Sequence, residues 1–212
     1  MAALCNPRRW CPMRWRRRPR HWLQERVNSD PEYRKAVEFA QTHVPTEGCD
    51  YSWVVDHANE QFRQMEEGIA ALDDKASKII TYVGAFAGVS AVTFAYQAAT
   101  VHWVIGASFL PTLVLALMAI SQAVQAVSPC PQPFPPSAER ARAYAEAYPK
   151  EAAQARFALQ TWAAFEGARV VSDVKSELIQ RAHALFNWAA WLLLAPAVAA
   201  VIFRLLLPGI GE

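Results

Sequence analysis

The residue types that usually carry out catalysis are present in this chain, but their spacing does not bring them together. The acidic residues stand in adjacent pairs, Glu66-Glu67 and Asp73-Asp74, and adjacent positions on a helix point in different directions. Such pairs are typical of a solvated helix surface rather than of a general acid and base that share a substrate. The sequence also has no glycine-rich phosphate loop and no Ser-His-Asp pattern. We therefore predict that the protein is not an enzyme.

Metal and cofactor chemistry is equally disfavoured by the sequence. A structural zinc site needs four converging nitrogen or sulfur ligands, whereas the cysteines form no CxxC pair and the histidines are isolated. These residues are the four cysteines, Cys5, Cys11, Cys49 and Cys130, and three of the five histidines, His57, His102 and His183. The prediction is reduced thiols, no metal ion and no cofactor.

The longest stretch without a formal charge indicates which solvent the chain is built for. Residues 79–138 contain no Asp, Glu, Lys or Arg, and one charged side chain at the centre of a bilayer costs about 2.5–3.5 kcal/mol. A helix crosses a membrane with about 20 apolar residues. We predict an all-α membrane protein with three transmembrane helices, at residues 79–98, 103–127 and 184–207, of which the first two form a hairpin. The alternative is a soluble helical core built from the same segments.

The distribution of Lys and Arg predicts the orientation. Basic residues precede the first span and lie between the second and third, whereas the short link after the first span has none. The positive-inside rule then places the N-terminus and the long middle segment in the cytoplasm and the C-terminus outside.

Two long cytoplasmic helices are predicted to continue into the first and third spans, over residues 50–78 and within residues 137–183. In the first of them, apolar side chains recur at alternating steps of three and four, which is the a/d pattern of a coiled coil. The stripe consists of Val55, Ala58, Phe62, Met65, Ile69, Leu72, Ala76 and Ile79. It can pack against another cytoplasmic helix of the same chain, or form a parallel coiled coil between copies.

The remaining segments are shorter. Residues 1–29 are a basic tail that we expect to be disordered. The tail either binds anionic lipid headgroups or arises from a start codon that is assigned too early. Residues 128–136 are rich in proline and predict a semi-rigid linker.

Two short cytoplasmic helices are indicated by their capping residues. Residues 30–49 hold a short helix and a loop, with Asp30 as the N-cap and an end near His43. Ser137 caps the helix that follows the proline-rich linker.

Gly84 and Gly88 stand four residues apart in the first span. This spacing lets two membrane helices approach closely. The second helix belongs either to the same chain or to another copy, and the latter predicts a homo-oligomer.

The segment Leu72-Asp73-Asp74-Lys75-Ala76-Ser77 leads into a first span that is rich in Gly and Ala. An Asp-x-Lys-Ala-Ser step at this place resembles the transmembrane effectors of Pycsar systems, small bacterial membrane proteins of nucleotide-signalling defence. The SLATT group of two-helix effectors is similar in layout. A second similarity is Val171-Ser172-Asp173-Val174-Lys175, where the family usually has a Lys in a helix that runs into its final span. The resemblance covers about residues 60–207.

The resemblance implies a function and a set of effector residues. The residues are Asp73, Lys75, Ala76, Ser77 and Lys175. The implied function is to assemble and disrupt the bacterial inner membrane when infection raises a cyclic nucleotide. We expect no appended cyclic-nucleotide-binding domain in these 212 residues, so sensing would belong to a partner protein or to the cytoplasmic helices themselves.

A second function is compatible with the same sequence. The chain could be a non-catalytic membrane scaffold whose cytoplasmic helices bind a soluble partner. No partner made of nucleic acid is expected for either function.

Overall fold

The computed structural model describes residues 19–46, 49–100, 110–128 and 135–206. Within these ranges the secondary structure is all helical, which confirms the all-α part of the predicted fold class for them. The helices are α1 Pro19–Ser29, α2 Pro31–Thr42, α3 Ser52–Thr100, α4 Leu110–Val127, α5 Ala138–Ala147 and α6 Lys150–Leu206. The chain divides into two compact units. The first unit comprises Met1–Val55 and Pro129–Val170, and the second comprises Asp56–Ser128 and Val171–Glu212.

In the first unit, α2 begins and ends where the sequence predicts. The Asp30 carboxylate accepts hydrogen bonds from the backbone N–H groups of Glu32 at 3.0 Å and Tyr33 at 3.1 Å. These bonds satisfy two of the N–H groups that a helix start leaves without an intrahelical partner. At the other end, the backbone N–H of His43 donates to the carbonyl of Phe39.

The prediction that residues 1–29 are disordered is wrong for residues 19–29, which form α1. Leu23 and Val27 lie one helical turn apart, and both side chains are buried. α1 packs against α2. The overall composition of the tail is dominated by arginine, so a prediction from composition alone misses these two apolar residues. The rest of the tail, residues 1–18, lies outside the described residues.

The first unit also contains α5, which Ser137 caps as predicted. The Ser137 hydroxyl accepts a hydrogen bond from the backbone N–H of Arg140 at 3.3 Å, and the helix ends before Pro149. Most of the predicted linker, residues 129–134, lies outside the described residues.

The second unit contains the membrane candidates. Two helical segments are long and apolar enough to cross a membrane, one within Ser52–Thr93 and the other at Leu110–Val127. The first segment contains residues 79–93 of the predicted first span, and the second contains the described part of the predicted second span, of which residues 103–109 lie outside the described residues. The predicted third span falls in α6 and is not one of these two segments, so the three-span layout stays a prediction.

The apolar stripe of α3 is buried within this single chain. In the second unit its buried members are Ala58, Phe62, Ile69, Ala76 and Ile79. This is the intrachain alternative of the two that the sequence allows. A coiled coil between copies is not required to cover the stripe.

The surface of α4 has the opposite arrangement to that of a helix in a water-soluble protein. The buried residues are all small: Thr112, Ala116, Ala119, Ala123 and Ala126. The exposed residues include the large apolar Leu110, Val114, Leu117, Met118 and Val124. In water the hydrophobic effect favours burial of large apolar side chains, so this surface fits an apolar surrounding.

Candidate functional site

The α3 part of the candidate site is one turn with alternating exposure. Ala76 is fully buried, Asp73 lies at the edge of the buried face, and Lys75 and Ser77 are exposed. The helical period of 3.6 residues explains this pattern, because Asp73 lies between Ala76 on the buried side and Ser77 on the exposed side, whereas Lys75 points away from all three.

The α6 part of the site is a lysine in an apolar stripe. Val171, Val174, Leu178 and Ala182 are buried at helical spacing, and Lys175 stands among them with only 3% of its surface exposed. A lysine can bury its aliphatic stem in this way, but its ammonium group then needs a partner.

That partner is Asp73. The Lys175 Nζ donates a hydrogen bond to Asp73 Oδ1 across 102 positions of sequence, and the two groups form an ion pair. The Asp73 side chain is 38% exposed, so the pair lies at the boundary between the helix interface and its surroundings. The structure thus brings together two of the five residues that the family resemblance implies.

The other three implied residues have different places. Ala76 is buried in α3, and Lys75 is exposed. The Ser77 hydroxyl donates to the backbone carbonyl of Asp73 at 2.9 Å. Residues two apart do not face each other on a helix, so Lys75 is not the partner of Asp73.

A second contact joins the same two helices further along. The rings of Phe86 in α3 and Phe186 in α6 meet edge to face, with 5.4 Å between their centroids and an interplanar angle of 88°. From the ion pair to this contact both helices advance towards their C-termini. α3 and α6 therefore run parallel in the second unit, as the sequence predicts.

The exposed face of α3 carries a separate set of ion pairs. Arg63 lies 2.7 Å from both Glu60 and Glu67, and Lys78 lies 2.6 Å from Asp74. The hydrogen bond from Arg63, followed by that from Gln64, lowers the pKa of Glu60 from its ordinary value of 4.5 to about 2. The hydrogen bond to Asp74 raises the pKa of Lys78. These are solvated helix-surface pairs.

Gly84 and Gly88 lie exposed on α3. A Cβ atom added at either position would meet no atom within 4 Å. The described part of the chain therefore packs no other helix closely against the two glycines, and self-association through them stays a prediction.

The first unit contains an aromatic cluster that the sequence did not reveal. The rings of Phe39 in α2 and Trp162 in α6 meet edge to face at 6.2 Å, and His43 stacks beside Phe39 at 4.8 Å. Phe39 and Trp162 both stay partly exposed. A signal was available in α2, where Phe39 follows the buried Ala36 by one turn, but its partner in α6 lies more than 100 residues away.

Arg156 and Tyr148 make a further contact in the first unit. The guanidinium group lies over the tyrosine ring, 4.4 Å from its centroid, which is the geometry of a cation–π interaction. Tyr144 neighbours Tyr148 and accepts a hydrogen bond from Gln160.

Among the described residues, no three His, Cys, Asp or Glu side chains group as a metal ion would require. Cys49 is a free, exposed thiol. The other three cysteines lie outside the described ranges. The absence of a metal ion and of a cofactor therefore stays a prediction.

Comparison with protein-family models, with curated proteins and with solved structures finds no match for this chain.

Proposed function

We propose that this chain is a multi-pass inner-membrane protein that acts without catalysis, as an effector that disrupts the bacterial membrane after a nucleotide signal in antiphage defence. The ion pair between Asp73 and Lys175 carries the proposal. It joins the two segments that resemble transmembrane effectors, although 102 positions separate them in the sequence.

The location in a membrane is supported by which side chains face outward. In α3, the exposed residues within the proposed first span include Tyr82, Val89 and Val92. In α6, Trp188 and Trp191 are exposed near the start of the proposed third span. Tryptophan is enriched at membrane–water interfaces. We propose spans at 79–98, 103–127 and 184–207, with the N-terminus in the cytoplasm.

The mechanism we propose is movement of α3 against α6. Asp73 precedes the first span by six residues, which is about 9 Å along a helix. The ion pair therefore ties the two helices together just below the proposed membrane surface. Helices that slide or rotate at an interface can transmit a signal along their length. A signal received below the membrane would be transmitted into the spans through this pair.

Assembly into a homo-oligomer is supported by the exposed glycines of α3. Gly84 and Gly88 leave room for close approach by another helix, and the described part of this chain does not fill it. The cyclic nucleotide itself would be sensed by a partner protein or by the cytoplasmic helices.

The proposal is tested by induced expression in bacteria loaded with a membrane-potential dye. We expect depolarisation with the wild-type chain in the presence of a cyclic nucleotide or phage. Asp73→Asn should abolish it, because it weakens the tie between α3 and α6. Asp74→Asn is the matched control, since this neighbouring aspartate makes only an exposed pair with Lys78, and it should depolarise as the wild type does. Unchanged polarisation with the wild-type chain under all conditions would refute the effector function.

A second candidate is favoured by the exposed aromatic residues of the first unit. Phe39, Trp162 and Trp53 present large apolar surface, and exposed aromatic surface often binds a partner protein. The function would be that of a membrane scaffold. It predicts a stable soluble partner that is lost on Phe39→Ala, together with no toxicity on overexpression.

A further inference from the structure

We propose that the helical core of the second unit binds buried water at the hydroxyl group of Ser90 and at that of Thr112. Ser90 lies in α3 with 2% of its surface exposed, and Thr112 lies in α4 with 1% exposed. Neither hydroxyl has a hydrogen-bond partner among the described residues. The two buried side chains share the same unit.

Other hydroxyl groups of this chain are satisfied in a different way. The Thr93 hydroxyl, three residues beyond Ser90 in α3, donates to the carbonyl of Val89 at 2.9 Å. The Thr161 hydroxyl in α6 donates to the carbonyl of Phe157 at 3.0 Å, although Thr161 is 0% exposed. Complete burial therefore does not prevent a helical hydroxyl from bonding back to its own helix. Ser90, which has full turns of α3 before it, stands apart from this pattern. Thr112 lies in the first described turn of α4, where no preceding turn of the described helix offers it a carbonyl.

Water is the ligand that fits two such groups. A hydroxyl offers one donor and two acceptors, and buried polar groups in folded proteins are almost always hydrogen-bonded, to protein or to internal water. A metal cation would require carboxylates or several more oxygen ligands, and residues 79–138 contain no acidic residue.

The hydration site does not depend on the proposed function, because buried hydroxyls need partners in any folded helical protein. Its position gains meaning if the proposed first span is correct. Ser90 follows Ile79 by 11 residues, or about 16 Å along the helix. This would place bound water near the middle of the bilayer.

The direct test is water-edited solid-state NMR on the full-length wild-type chain in lipid. We expect magnetisation to pass from water to Ser90 and Thr112 faster than to Val83 and Ala116, which are equally buried on the same two helices. Equal transfer to all four positions would overturn the proposal. This test needs no variant to fold.

Thermal unfolding in detergent gives a second test. If water satisfies the hydroxyls, Ser90→Ala and Thr112→Val should each lower the melting temperature by about 2–4 °C. Thr161→Val is the matched control, since its hydroxyl is back-bonded at the same degree of burial, and it should cause a smaller decrease. A melting temperature that stays constant or rises in Ser90→Ala and Thr112→Val would mean dry, unsatisfied hydroxyls and would overturn the proposal.

Discussion

Removing the carboxylate of Asp73 should destabilise the fold far more than removing the ammonium group of Lys175. The reason is the unequal burial of the pair. Lys175 is almost completely buried, whereas the Asp73 side chain is 38% exposed. An Asp73→Ala variant leaves a buried charge without a partner. A Lys175→Met variant keeps the apolar stem of the side chain and leaves a carboxylate that its surroundings can solvate.

The expected magnitudes follow from this difference. Removal of one partner from a buried ion pair costs about 3–5 kcal/mol, and access from the Asp73 side reduces this to about 2–3 kcal/mol for Asp73→Ala. Loss of the partner of a largely solvated carboxylate costs about 0–1 kcal/mol. At about 2–4 °C per kcal/mol for a chain of this size, Asp73→Ala should lower the melting temperature by about 4–12 °C. Lys175→Met should lower it by at most about 4 °C.

The assay is thermal unfolding of the purified chain in detergent, followed by intrinsic tryptophan fluorescence. The double variant Asp73→Ala/Lys175→Met should melt close to Lys175→Met, because the unpaired buried charge is then absent. Asp74→Ala serves as the matched control, since it removes the same side chain one position away, where the ion pair with Lys78 is exposed.

Two results would refute this reasoning. The first is equal destabilisation by Asp73→Ala and Lys175→Met, which would mean that the lysine is hydrated and not buried. The second is strict additivity in the double variant, which would mean that the two side chains do not interact. A loss of stability in Asp74→Ala as large as in Asp73→Ala would show that any change at this turn has the same effect.

Three further predictions concern other parts of the chain. Gly84→Leu with Gly88→Leu should abolish chemical crosslinking between copies in the membrane and leave the melting temperature nearly unchanged, since a Cβ atom at either position meets no atom of the described residues within 4 Å; persistent crosslinking would exclude this face. The Glu60 carboxyl should titrate near a pH of about 2 in carbon-13 NMR, so its stabilising effect is complete above 4.5 and is lost as the pH falls from 4.5 towards 2. Arg63→Gln should move this titration back towards 4.5, and an unmoved titration would contradict the assigned cause. Leu23→Asp should detach α1 and expose it to limited proteolysis, whereas an unchanged digestion pattern would mean that α1 does not depend on this contact.

The features that the sequence predicts well are local ones. Asp30 and Ser137 cap helices through backbone groups two to three residues away, so the interacting partners are all visible in a short window. The apolar stripe of α3 is periodic and therefore also predictable. The element that packs against this stripe is not predictable, because the stripe shows which face of the helix is buried and not which element covers that face. α1 was missed since Leu23 and Val27 make a stripe of only two residues.

The ion pair between Asp73 and Lys175 could be predicted in part. A lysine on the same face as Val171, Val174 and Leu178 is a signal that an acidic partner must come from elsewhere in the chain. The sequence offers Asp73 and Asp74, which are adjacent and point in different directions from the helix. Only the packing of α3 against α6 distinguishes them, and it selects the aspartate that shares a face with Ala76. The pairing of Phe86 with Phe186 depends on the same register and has no local signal.

The two contacts between α3 and α6 together constrain how a signal could travel. They lie 13 residues apart along α3 and 11 along α6, which is about 20 Å and 17 Å of helix. Both intervening segments are uninterrupted helix. A shift of α6 at the level of Lys175 must therefore change the edge-to-face contact at Phe186 or kink α6 between these two residues. Sharp kinks occur mainly at proline, at Gly/Ser pairs or at bulges, and residues 175–186 contain neither proline nor glycine, so displacement of the ion pair should change the aromatic contact. Under the proposed topology, the ion pair lies outside the membrane and the aromatic pair lies inside it.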